Sequence, residues 1–336
     1  MKTNKLILSL SIPVLMIALH TMLSSAHELL AEKDNAAKTT VVASSDEPYL
    51  VKTFQLDGKG SLNVKTSGGS IDVEAHSGNE VRVEVYVKKS SWDSWFGKDD
   101  DIQEILEKEY TIDISKVGNA VSATADRKSK RWDSNSLSVA FKVMVPSAIS
   151  CNLQTSGGSI SLYGVEGQQS VKTSGGGLTL EKISGDMEAR TSGGGIKIAD
   201  FSGVLSAHTS GGSINLEDAE GDLRVSTSGG SIRLYDIAGS IDASTSGGSI
   251  DAEIKVLKDM LSLKTSGGSI RATIPEGLGL DLDLHGNRVN TVLNNFSGTS
   301  DNHSIKGSIN GGGIPVTLRT SGGSITLDYF GSASSQ

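Results

Sequence analysis

The tetrapeptide Thr-Ser-Gly-Gly begins at Thr66, Thr155, Thr173, Thr191, Thr209, Thr227, Thr245, Thr265 and Thr320. From Thr155 to Thr245 the copies follow every 18 residues without a slip, and the next step, to Thr265, is 20. A short fixed period is the mark of a solenoid, in which each copy buries its apolar side only against its neighbours. Within a copy the apolar residues alternate, as Ile160 and Leu162, Leu178 and Leu180, Ile196 and Ile198, Ile214 and Leu216, and Ile232 and Leu234. After a single recurring glycine (Gly167, Gly185, Gly203, Gly221, Gly239) a second set follows: Met187 and Ala189, Leu205 and Ala207, Leu223 and Val225, Ile241 and Ala243. Alternation with period two reads as a strand with one buried face.

The expected fold is therefore all-β: a parallel β-solenoid with about 18 residues and two short strands per turn. Right-handed coiling is expected by analogy with parallel crossovers. A left-handed hexapeptide helix also takes 18 residues per coil. It needs three six-residue motifs per turn, and here the unit divides into two unlike strands. Alternation carried on from Leu223 and Val225 puts Thr227 inside, so the Thr hydroxyls are expected to form an inward column that bonds between coils. Gly157 and Gly158, Gly175 and Gly176, Gly193 and Gly194, Gly211 and Gly212, Gly229 and Gly230, and Gly247 and Gly248 are the expected corner residues. There a φ above zero suits glycine, and a Cβ is penalised.

The remaining segments frame this array. Residues 1–26 read as a signal peptide: Lys2 and Lys5 precede an apolar run from Leu6 to Leu23, and Ser24 and Ala26 offer a cleavage site before His27. A membrane is a partner only if that segment stays uncleaved. Residues 27–48 read as a flexible leader, 49–146 as an N-terminal coil and cap region with a short helix near 101–109, and 147–273 as the regular solenoid. Residues 274–330 read as C-terminal coils and cap, and 331–336 as a tail. The helix expectation rests on Ile102, Ile105 and Leu106, with Asp99, Asp100 and Asp101 at its positive end. A helix-containing insertion is thus expected to cap the first coil, because an open solenoid end invites aggregation.

Composition limits the chemistry. Removing Lys2 and Lys5 with the signal segment moves the formal charge from −8 to −10, which disfavours nucleic acid as a partner. Cys151 is the only cysteine, so there is no internal disulfide. His27, His76, His208, His285 and His303 are scattered without metal-ligand spacing, and no cofactor or metal is expected. Calcium β-rolls place an Asp after the glycines, where this repeat has Ser or Gly. Serine nucleophiles need a matched base, and nine equivalent serines argue for a corner instead. The outward columns Ser161, Thr179, Lys197, Asn215, Arg233 and Lys172, Arg190, His208, Ser226 are mixed and lack a repeated reactive pair, so no catalytic residue is expected. Ice binding would need outward Thr, contrary to the alternation. Trp92, Trp95, Phe96 and Trp132, in the cap insertion, are candidate contact residues or a seal on the core.

The Thr-Ser-Gly-Gly-Ser-Ile coils, the Phe141–Pro146 strand, the Ile274–Pro275 step and the Asn310–Gly313 turn together resemble the putative-adhesin family of bacterial β-strand-repeat proteins. The resemblance covers roughly residues 49–330, and the family's molecular function is unknown. It implies an exported β-helical protein without assigned catalytic residues. The expected role is a non-enzymatic adhesin or envelope structural protein that contacts protein or glycan, in the periplasm, on the outer surface or secreted. A periplasmic scaffold or envelope-stress accessory protein, and a carbohydrate-active β-helix enzyme, are the alternatives.

Overall fold

The computed structural model describes residues 47–89, 100–128 and 137–330. All of these residues belong to one compact unit. Its first part holds β1 (Leu50–Gln55), β2 (Gly60–Thr66), β3 (Ile71–His76), β4 (Glu80–Lys89), helix α1 (Asp100–Glu109), β5 (Tyr110–Val117), β6 (Ala120–Arg127) and β7 (Leu137–Pro146). The regular array follows as β8 (Ile149–Thr155), β9 (Ile160–Tyr163), β10 (Glu166–Lys172), β11 (Leu178–Thr191), β12 (Ile196–Thr209), β13 (Ile214–Thr227), β14 (Ile232–Thr245), β15 (Ile250–Thr265) and β16 (Ile270–Ile274). Then come β17 (Leu280–His285), β18 (Arg288–Thr291), β19 (Phe296–Ser300), β20 (Ser304–Ile309), β21 (Ile314–Thr320) and β22 (Ser324–Tyr329). These 22 strands form one continuous, mostly parallel sheet wound as a solenoid.

The constant unit length fixes the register. Leu178 pairs with Ile196, Ile196 with Ile214 and Ile214 with Ile232, and the threonines Thr191, Thr209, Thr227 and Thr245 align in the same way. Like side chains therefore stack in columns, and the alternating Ile, Leu and Ala residues of both sets are buried. From β11 onward, however, each regular turn is one continuous 14-residue strand that bends, and not two short strands. A further inward column, Val165, Ile183, Phe201, Ala219 and Ile237, breaks the simple alternation. The reset lies one residue earlier, where Lys182, Asp200, Asp218 and Asp236 take φ of 56°, 53°, 50° and 59°. Aspartate tolerates this left-handed conformation better than most side chains. The 20-residue step shifts the β14–β15 register and leaves Val256 and Met260 exposed on a bulge.

The threonines point inward, as the alternation requires. Thr209 is fully buried; its Oγ1 donates to the Gly194 carbonyl of the preceding coil at 2.8 Å and accepts from Gly212 N at 3.3 Å. Thr191, Thr245, Thr265 and Thr320 repeat both bonds. Each hydroxyl thus ties one corner to the next coil. Thr209→Val keeps the shape but orphans both partners, and is expected to cost about 1–3 kcal/mol in urea denaturation. Thr209→Ser should recover most of that loss.

The reason for the paired glycines differs from the expectation. Neither member of a regular pair has a positive φ. Space decides instead: a Cβ on Gly212 would overlap the Gly194 carbonyl of the coil below, whereas on Gly211 it would stand 3.3 Å from Gly193 O. The second glycine of each pair lets successive backbones approach at ladder distance.

Both ends of the stack are interlocked. β2 and β3 lie directly on β8 and β9, bringing Thr66 beside Thr155, while β6 and β7 lie outside them. At the other end β21 and β22 lie directly on β15 and β16, and the earlier strands β17 and β18 form the outer layer. In each case the strands farther away in sequence slip in beneath the terminal layer. Antiparallel strands finish the edges: β5 on β6 and β4 on β7 at one end, β20 on β17 and β19 on β20 at the other. Lys52 also caps the edge carbonyl of Ile114 at 2.9 Å. Such finishing limits the open ladder that would recruit another chain.

Candidate functional site

Outward residues of β2, β8, β10, β11 and β12 line a groove of about 540 Å³. Its walls come from side chains two apart on each strand: Ser61 and Asn63, Ser150 and Asn152, Gln168 and Ser170, Asp186 and Glu188, Val204 and Ser206. Successive strands lie about 4.8 Å apart, so the groups repeat at that interval along the stack. Interlocking brings Asn63 next to Asn152 despite a sequence separation of 89, and Asn152 Nδ2 donates to Asn63 Oδ1 at 2.9 Å. Asn63 Nδ2 in turn donates to Ser122 at 3.3 Å.

A local break in the ladder underlies the groove. β10 pairs with β11 from Glu166 onward, but with β8 only from Gln169, beyond one isolated bridge at Ala148 and Glu166. Side chains fill the lapse. Gln168 N donates to Ser150 Oγ at 3.3 Å; Gln169 Oε1 accepts from Cys151 N at 2.9 Å and its Nε2 donates to Ile149 O at 2.8 Å. Gln169 is buried in a column otherwise occupied by Cys151, Met187, Leu205 and Leu223. A buried amide is tolerated only when hydrogen-bonded, and this one has both ends satisfied.

Glu188 sets the charge of one wall. It meets Lys172 at 2.8 Å and Arg190 at 2.7 Å. The Lys172 bond, joined by Arg190, holds its carboxyl below the ordinary carboxylate range against the opposing effect of burial. It is ionised at neutral pH, so it is not suited to be the proton donor of an acid–base pair with Asp186. Cys151, on the groove floor, is buried, and loss of solvent pushes its thiol up to about 12 from 9.0. That thiol is a core group and not a nucleophile.

Trp92, Trp95, Phe96 and Trp132 lie outside the described residues. The paired glycines stand at the bends between strands, away from the groove. His208 meets Ser226 at 2.9 Å, and His303 meets the Asn287 carbonyl at 2.7 Å. Among the described residues no three His, Cys, Asp or Glu side chains gather for a metal, and no helix is long and apolar enough to cross a membrane. The groove residues were missed because the outward columns weighed in the sequence lie on other positions of the repeat. Gln169, polar at an inward position, was the available signal.

Residues 203–328 match the family model described as Toastrack DUF4097, which covers coils from β12 to β22. Over that stretch the chain is similar to the Toastrack domain. No curated protein matches the chain significantly. Similar solved structures include a putative adhesin from Parabacteroides distasonis, 15% identical, covering 87% of this chain and 98% of its own, with a TM-score of 0.36. Another, from Parabacteroides merdae, is 12% identical over 85% of this chain and 98% of its own, with a TM-score of 0.35. A putative cell adhesion protein from Clostridium sporogenes is 11% identical over 83% and 97%, with a TM-score of 0.22. The Toastrack match begins at Gly203, so most of the groove lies upstream of it.

Proposed function

We propose that this chain is an exported, non-enzymatic β-solenoid that acts at the cell surface or envelope by contact with protein or glycan. The observation that supports it is the groove and its polar walls: a rigid, hydrogen-bonded face with hydroxyl, amide and carboxylate groups at a fixed repeat. A ladder of parallel coils holds such groups in place at little entropic cost on binding. The ionised, ion-paired Glu188 disfavours the alternative of a glycan-cleaving acid–base pair.

Protease shaving of intact cells, followed by an attachment assay with a deletion strain, tests this reading. Shaving should remove the protein, and deletion should reduce attachment to protein- or glycan-coated surfaces. Protection until the outer membrane is opened would favour a periplasmic scaffold. Glycan degradation by the purified protein would overturn the non-enzymatic role.

A further inference from the structure

We infer that the groove across β2, β8, β10, β11 and β12 is a binding site for a neutral, hydroxyl-rich glycan chain lying along the stack. This rests on the contact role proposed above and names the ligand class. Four features of the groove point to it. Its volume, about 540 Å³, suits a ligand of several sugar rings bound in the open. Gln168 and Asp186, paired on successive coils about 4.8 Å apart, offer an amide and a carboxylate at close to the advance of one pyranose along an extended chain, and Asn152, paired with Ser170, adds a second amide in the adjoining column. Val204, 51% exposed at the end of the groove, gives the apolar surface that the C–H face of a sugar needs.

The fourth feature is the cost of keeping the groove open. Where neighbouring coils place Met187 and Leu205, this coil buries Gln169 and gives up two positions of backbone pairing. A peptide that adds a strand needs a free sheet edge. Here strands flank the groove on both sides, leaving recognition to side chains. Charge narrows the ligand further. Asp186 and Glu188 stand in the wall, and Lys172 and Arg190 are already paired with Glu188. No Lys or Arg is among the residues lining the groove, so a polyanion would find no cation there in a chain of net charge −8.

The test is isothermal titration of the purified protein with cellohexaose and with chitohexaose, repeated on Gln168→Trp. Gln168 is exposed, so the indole fills the groove without entering the core. Saturable binding of at least one hexasaccharide is expected, weakened tenfold or more in Gln168→Trp at an unchanged melting temperature. Asn152→Ala should weaken it less. Failure of both sugars to bind, equal binding by Gln168→Trp, or stronger binding of polygalacturonate would each overturn the inference. Cells carrying Gln168→Trp that attach like wild type would remove the groove from the contact role and leave that role standing.

Discussion

Gly212→Ala is expected to destabilise the protein by more than about 4 kcal/mol, whereas Gly211→Ala stays within about 1 kcal/mol of wild type. The two residues are adjacent, chemically identical and part of the same repeated tetrapeptide. They differ in what lies beneath them. A Cβ on Gly212 overlaps the backbone carbonyl of Gly194, which cannot turn aside as a side chain can. Relief requires the two coils to separate, and the Thr209 bonds to Gly194 and Gly212 would go with the ladder. At Gly211 the nearest atom is Gly193 O at 3.3 Å, a tight contact that a few tenths of an ångström relieves. Alanine there also narrows the unfolded ensemble, which offsets part of the cost. Urea and thermal denaturation of the two variants measure the difference. The reverse ranking would mean that the corner is governed by backbone angle and not by the approach of coils.

Ending the chain after Gly313 is expected to have a larger effect still, producing aggregation in place of a shortened solenoid. In a simple stack, removing the last strands strips one layer and leaves the next intact. Here β21 and β22 lie between β15–β16 and β17–β18. Their loss takes the fully buried Val316, Leu318, Ile325 and Leu327 out of the interior. At about 1.5–3 kcal/mol for each side chain, the loss is on the order of 10 kcal/mol, comparable with the whole stability of an ordinary domain. It also opens the parallel edge of β15 and β16 to other chains. Size-exclusion chromatography and thermal melting distinguish the outcomes. A soluble monomer melting within a few degrees of wild type would show β17 and β18 stacking on the array by themselves.

Much of this architecture is legible in the residues because the repeat is exact in length. Once each unit has 18 residues, equivalent strands must pair in parallel, and the alternation of Leu223, Val225 and Thr227 places the hydroxyl inside. Where period two fails, the reading fails with it. Ile183, Phe201 and Ala219 are inward because the residue before each takes a left-handed backbone, which resets the faces. The recurrence of Asp200, Asp218 and Asp236 at that position was a visible sign, since aspartate is among the few side chains that accept it. The paired glycines gave no such discrimination, because a positive φ and a close backbone approach both demand glycine.

The groove was harder to foresee for a different reason. Asn63 and Asn152 become neighbours only because β2 slips beneath β6 onto β8, and the spacing of repeats says nothing about that order. Nor does a sequence show that pairing lapses at Gly167 and Gln168. It does show a glutamine in an apolar column, and such a substitution is worth following to the surface above it.

Paired cysteines can read the order of the coils at the C-terminal end. In a Cys151→Ala background, Lys264→Cys with Arg319→Cys should oxidise to a disulfide, because these positions pair across one ladder step of about 4.8 Å. Lys264→Cys with His285→Cys should remain reduced, since His285 pairs with Arg319 on the far side and stands two steps away. A disulfide between positions 264 and 285, with none between 264 and 319, would contradict the interlocked stack.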